Sequence, residues 1–519
     1  MKSKLAMLLL VLSATVSAQD AEPAAAPAPA AAAPALGKDR AADLLAHERV
    51  LKADTQVSKT AQVVIKGKSV PYKVTAGTQP VWDKDGKVIA SLFYTYYQRT
   101  DVADKSRRPL VLSFNGGPGS ASVWMHIAYT GPKLLNLDAE GYPTQPYGVH
   151  DNPHSILDVA DIVYIDPVNT GFSRVLDGKN DRARFFGVNA DIAYLAEWVS
   201  AFVSREGRWT SPKYLIGESY GTSRVAGLAL ELQNAQWMYL NGVVLVSPTE
   251  LGLKREGAVG EALALPYFAA TAWYQKVLPA DLQSRDLKDV LPEVEAFTVD
   301  ELLPALAKGG FLDPQKKAQI AAKMARYSGL SETFLLQHNL SVPPEHFWKE
   351  LLRAQGKTVG RLDSRYLGID KSDTGNAPDY NAELSSWLHS FTPAINQYLR
   401  NELQFKTDLK YALFGDVHPW DFKNEKTGDN LRLAMAANPY LKVMIQSGYY
   451  DGACTYFDAK YTMWQLDPSG KMKDRLRFEG YRSGHMMYLR SEDLATSNED
   501  LRDFIRKATP APNAPAKYQ

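Results

Sequence analysis

The chain of 519 residues has a single cysteine, Cys454, so no disulfide can form within it. It must hold together by packing, and 45% hydrophobic and 11% aromatic residues are ample for that at this length. Charge imbalance is also missing. The 59 basic and 58 acidic residues leave a net charge of +1 with no basic blocks, which argues against nucleic acid or an anionic membrane as partner. Beyond Val16 no apolar run reaches the roughly 18 residues a membrane helix needs, so integral membrane association is not expected. The nine histidines show no His-Glu-x-x-His spacing, so neither a catalytic metal nor another cofactor is expected.

What is present begins with a targeting pattern. Lys2 and Lys4 precede an apolar run from Leu5 to Val16, and Val16-Ser17-Ala18 offers small residues for cleavage. Residues 1–18 read as a signal peptide, which implies export to a periplasmic or secreted location. Residues 19–40 are Ala/Pro-rich, with no amphipathic face to bury, and read as a linker. Thr60 to Val74 and Lys87 to Tyr97 have strand character, with turn residues Asp83, Asp85 and Gly86 between them. Short apolar runs suited to buried strands follow at 109–114, 161–165, 213–216, 242–246, 441–446 and 475–479. Helical patterns lie between several of them, which predicts a mostly parallel α/β sheet. Residues 252–398 are dominated by helical patterns and are expected to form a cap inserted between 41–251 and 399–510.

Gly217-Glu218-Ser219-Tyr220-Gly221 joins a predicted strand to a predicted helix, the setting that lifts a serine hydroxyl onto a tight, exposed turn. A serine nucleophile needs a base, a group to orient the base, and donors for the oxyanion. Asp451 follows a predicted buried strand in a glycine-bounded turn, and His485 follows the last predicted strand, giving the order Ser, acid, His. Asn115-Gly116-Gly117-Pro118-Gly119 supplies a loop whose backbone N–H groups can approach a substrate, and it lacks the Gly-Lys-Ser/Thr of a phosphate loop. Cys454 is read as a packing residue, with no base assigned to it.

Together with Asp166-Pro167-Val168-Asn169-Thr170-Gly171-Phe172-Ser173 and Gly484-His485-Met486, these motifs resemble the serine carboxypeptidase family, a branch of the α/β hydrolases, in a bacterial-type member. The resemblance implies an α/β-hydrolase fold with a helical cap, and an acyl-enzyme mechanism acting on peptide or protein C-termini. It implies Ser219 as nucleophile, His485 as base, Asp451 as orienting acid, and the amides of Gly117 and Tyr220 as oxyanion donors. Asn115, Glu218 and the Gly116 amide are implied to bind the substrate's terminal carboxylate. Glu218 would then share a proton with it, because two like charges in one site cannot both stay ionised. Where many members carry a second acidic residue, this chain has Tyr129, which is expected to donate to that carboxylate pair and to give a less acidic optimum. An esterase or acyltransferase could use the same triad, and a non-catalytic binding protein could keep the same fold.

Overall fold

The computed structural model describes residues 49–176 and 182–518, so the expected signal peptide and the whole of the expected linker lie outside the described residues. A ten-stranded sheet runs through the unit. Its antiparallel edge is β1 (Thr55–Ile65), β2 (Lys68–Trp82) and β3 (Val88–Arg99). The central strands are β4 (Leu110–Phe114), β5 (Asp161–Ile165), β6 (Lys213–Glu218), β7 (Gly242–Val246), β8 (Lys442–Gly448) and β9 (Leu476–Tyr481). The spatial order is β1-β2-β3-β5-β4-β6-β7-β8-β9, parallel from β5 to β9, with Arg174–Val175 pairing onto β3.

The parallel strands β4 to β8 read as mainly apolar runs because both faces are covered, whereas β9 at the edge is half-buried and carries Arg477 and Glu479. Leu215, Val243, Leu245, Val443 and Ile445 point into a core with α1 (Val188–Arg205), α2 (Tyr220–Ala235), α3 (Thr427–Ala437) and α4 (Tyr456–Leu466). Tyr214, Ile216, Val244, Val246 and Met444 point the other way, toward Val123–Ala128, Ala382–Gln397 and α5 (Ser491–Ala508).

Two features differ from the sequence reading. The stretch expected as one strand, Thr60 to Val74, is a hairpin that turns at Lys66-Gly67, both with positive φ (51° and 75°), and pairs Val63 with Val70. A Lys-Gly pair is a weaker turn signal than Asn-Gly, though the backbone requirement is the same. Between β7 and β8 the chain adds no strand to the central sheet. Helices such as Leu265–Tyr274, Leu287–Phe297 and Pro314–Ser328 surround a separate apolar core there. The helix Ala382–Gln397 lies within the expected 252–398 insertion but packs Trp387, Phe391 and Ile395 into the core of the main sheet.

Candidate active site

Six parallel strands end on the same side, and Asn115–Gly117, Glu218–Tyr220, Asp451 and His485 lie at or just beyond four of those ends. Ser219 follows β6 directly with φ 59° and ψ −130°, and α2 starts at the next residue. An L-residue rarely adopts this conformation, at a cost of order 1–3 kcal/mol. The turn is packed too tightly for side chains on its neighbours. A Cβ on Gly217 would lie 2.1 Å from the Gly221 carbonyl oxygen, and one on Gly221 would lie 2.8 Å from the Phe114 oxygen.

The glycine loop after β4 rests on this elbow. A Cβ on Gly116 would sit 2.4 Å from the Tyr220 amide nitrogen, so only glycine permits the approach that brings the loop beside the first amide of α2. Gly117 has φ 104°, which a side chain would strain. The buried Asp191–Arg224 pair anchors the same loop. Arg224 Nε donates to Asp191 Oδ2 at 2.7 Å, and its Nη1 and Nη2 donate to the carbonyls of Asn115 (2.5 Å) and Pro118 (3.3 Å). Tyr194 donates to the other Asp191 oxygen at 2.8 Å. Removing one partner of such a pair leaves an uncompensated buried charge. Arg224→Met is therefore expected to cost about 3–5 kcal/mol of stability, read as the shift in denaturant midpoint at unchanged slope. A change below about 1 kcal/mol would show that the pair does not anchor the loop.

Asp451 is fully buried and divides its oxygens. Oδ1 accepts the amides of Ala453 (2.8 Å) and Cys454 (3.0 Å), and Oδ2 lies 2.7 Å from His485 Nδ1. His485 is held by its backbone as well: its N–H donates to Leu362 at 2.7 Å, and its carbonyl accepts Ser247 Oγ at 2.8 Å. Burial pulls the imidazole pKa down, but the Asp451 carboxylate and its hydrogen bond, helped by Glu218, carry it above the usual value. Among the described residues no hydrogen bond joins Ser219 Oγ to His485 Nε2. Such bonds often tighten only when substrate is bound.

Glu218 is buried at the end of β6. Burial, reinforced by Asp451, pushes its pKa up to about 7 against the opposing pull of His485, Tyr488 and Asn115. Asn115 is fixed by the Met125 amide, which donates to its Oδ1 at 3.2 Å. Tyr129 does not take the role expected of it. Its hydroxyl donates to Gln446 Oε1 at 2.8 Å, and its ring stacks on Tyr488 with centroids 4.6 Å apart. The hydroxyl that donates to Glu218 Oε2 belongs to Tyr488.

A base does stand near Cys454, contrary to the sequence reading. Single ligand atoms of Asp451, Cys454 and His485 all lie within 4.8 Å of one another, a grouping that could hold a metal ion. As a nucleophile the thiol is poorly placed, because burial and the Asp451 charge push its pKa well up, whereas reactive cysteines have lowered values. Sequence reasoning also missed Arg224, Asp191, Tyr488 and the buried Asp363–Arg365 pair. Arg365 donates to Asp363 Oδ2 at 2.6 Å and to Ser483 Oγ at 2.9 Å, bracing the loop that carries His485. A charged residue on the apolar face of α2 was the one available signal for Arg224.

The fold is that of the α/β hydrolases: a mostly parallel sheet with a serine elbow after a central strand. Residues 67–251 match the family model for serine carboxypeptidase. "Serine carboxypeptidase S10 family member 1" of Dictyostelium discoideum is 27% identical over 180 residues, 34% of this chain and 38% of that protein. "Serine carboxypeptidase-like 21" of Arabidopsis thaliana is 32% identical over 143 residues, 26% of this chain and 27% of that protein. The matched stretch thus spans well under two thirds of either relative. The crystal structure of a prohormone-processing carboxypeptidase from Saccharomyces cerevisiae aligns with 84% of this chain and 91% of its own, with a TM-score of 0.50 at 15% identity. At that identity the likeness speaks to fold.

Proposed function

We propose that this protein is an exported serine carboxypeptidase that hydrolyses C-terminal peptide bonds through an acyl-enzyme. The observation that carries the reading is the 2.7 Å contact between Asp451 and His485 beside a serine elbow whose preceding residue is a buried carboxyl near neutral pKa. Ser219 Oγ attacks the scissile carbonyl and His485 Nε2 takes its proton, while Asp451 holds the Nδ1–H and stabilises the imidazolium. The amides of Gly117 and Tyr220 receive the oxyanion. His485 then protonates the departing amine, and water releases the acyl group by the same steps in reverse order. Glu218, Asn115 and the Gly116 amide receive the terminal carboxylate. The matches to serine carboxypeptidases support this reading, and the bacterial-type subclass rests on the sequence alone. Export rests on residues 1–18, and among the described residues no helix is long and apolar enough to cross a membrane. The helices around the separate apolar core, among them Leu265–Tyr274, Leu287–Phe297 and Pro314–Ser328, act as the cap over the site.

Digestion of a mixed peptide library, followed by mass spectrometry, is expected to show stepwise loss from carboxyl ends. Equal cleavage of amidated and free-acid peptides would point to an esterase or acyltransferase. The pH dependence follows from the two titrating groups. His485 must be neutral to act as base, so kcat rises with pH through a value above the usual 6.5. Glu218 must be protonated to face an ionised carboxylate, so affinity for free-acid peptides falls as pH rises through about 7. A bell-shaped kcat/KM centred near neutrality is expected, its two limbs belonging to the pair and not to either residue. A maximum at strongly acidic pH would overturn this assignment.

A further inference from the structure

We infer that Tyr488 is the residue that poises Glu218 for the substrate's terminal carboxylate, fixing one carboxyl oxygen and leaving the other to hold the shared proton. This rests on the carboxypeptidase reading and deepens it.

Tyr488 lies three residues after His485 and is fully buried. Its hydroxyl donates to Glu218 Oε2, a contact that reaches across 270 residues of chain. The ring is fixed by its parallel stack on Tyr129, with an interplanar angle of 8°. Tyr129 is anchored in turn through Gln446, which donates to Tyr481 at 2.9 Å, and Tyr481 donates to Asp500 at 2.9 Å. The groups that face Glu218 are Asn115 from the glycine loop, Tyr488 and His485 from the loop after β9, Asp451 from the turn after β8, and Tyr129 through the stack. None of the neutral ones titrates near neutrality: burial pushes both phenols up.

A phenol differs from a second carboxyl in one decisive respect. It donates to Oε2 whether Glu218 is ionised or protonated, because a carbonyl oxygen and a carboxylate oxygen both accept. Oε1 is then the oxygen left to carry a proton toward an incoming carboxylate. Glu218 and His485 each bear on the other's charge, so they titrate as a pair. The reactive arrangement has Glu218 protonated and the imidazole neutral, free to act as base. An arriving carboxylate favours that arrangement by repelling the ionised form. Tyr488 limits how far Glu218 rises, since its hydrogen bond stabilises the carboxylate.

The test is calorimetric binding in a Ser219→Ala background, which does not turn substrate over. An N-acylated dipeptide free acid and its C-terminal amide are titrated from acidic to alkaline pH. With Tyr488 present, the free acid should bind more tightly below about pH 7 and lose that advantage above it, while the amide shows no such limb. In Tyr488→Phe the limb should move upward by about one pH unit or more, because the ionised carboxyl has lost a charge-assisted donor. Glu218→Gln, whose amide can accept from Tyr488 and donate to the ligand, should flatten the limb, and Tyr488→Phe added to it should leave the profile flat. A limb that stays put in Tyr488→Phe, or one that persists in Glu218→Gln, overturns the inference while the reading survives. Equal binding of acid and amide with Tyr488 and Glu218 intact overturns the reading itself.

Discussion

Ser219→Ala is expected to lower peptide hydrolysis by about 10⁶-fold in kcat while leaving the fold intact. Both halves of this expectation come from the elbow. The residue already carries a Cβ at φ 59°, so alanine introduces no strain that serine lacks. Its hydroxyl takes part in none of the hydrogen bonds that build the turn, which run through the backbone from Ser219 N to Val246 and from Thr222 to the Ser219 carbonyl. Removal of Oγ therefore takes away the proposed attacking atom and little else. Single-turnover assays with a free-acid peptide would measure the loss, and a thermal melt would measure the fold. Activity within about tenfold of the parent would mean that another group, or a directly activated water, performs the attack. Residual rate from the oxyanion donors and binding groups is compatible with the proposal.

The parts of the site legible in the sequence are those set by local chemistry. The elbow announces itself because glycines must flank the serine, and the structure gives the reason in contacts of 2.1 to 2.8 Å to backbone oxygens. Asp451 was legible from its place just beyond a buried apolar strand, which a covered parallel sheet makes conspicuous. His485 was legible from its order after Ser219 and Asp451, since the strand before it is a half-buried edge carrying Arg477 and Glu479. What was not legible depends on contacts between distant segments. Arg224 and Asp191 are 33 residues apart on two helices, and neither helix alone says why a charge should face inward. Tyr129 occupies the motif position of an acid, so sequence logic gave it the acid's partner. Its ring instead lies flat against Tyr488, which carries its hydroxyl toward Gln446 and leaves Glu218 to the other phenol. The segment Arg361 to Arg365 was equally hidden. It accepts the backbone N–H of His485 through Leu362 and of Gly452 through Arg361, so the inserted region helps to fix the positions of His485 and of the turn that carries Asp451.

Asp451→Asn is expected to reduce kcat by about 10⁴-fold, although it changes one atom in a buried, well-packed site. The direction is dictated by the other oxygen. Oδ1 accepts two backbone amides, Ala453 and Cys454, and an asparagine must keep its carbonyl there or leave both donors unpaired in the interior. The amide NH₂ would then face His485 Nδ1, where it donates instead of accepting. The imidazole would be held with its proton on Nε2, the nitrogen that should receive the Ser219 proton, and the base would be blocked. The titrations should move as well. With the Asp451 charge gone, burial dominates His485 and its pKa falls, so the acid limb of kcat shifts to lower pH. Glu218 loses a neighbour that raises it, so the alkaline limb for free-acid peptides also moves down. A pH series of kcat and kcat/KM for the variant checks all three movements. Activity retained within about tenfold, or an acid limb that stays in place, would show that Asp451 does not orient the base.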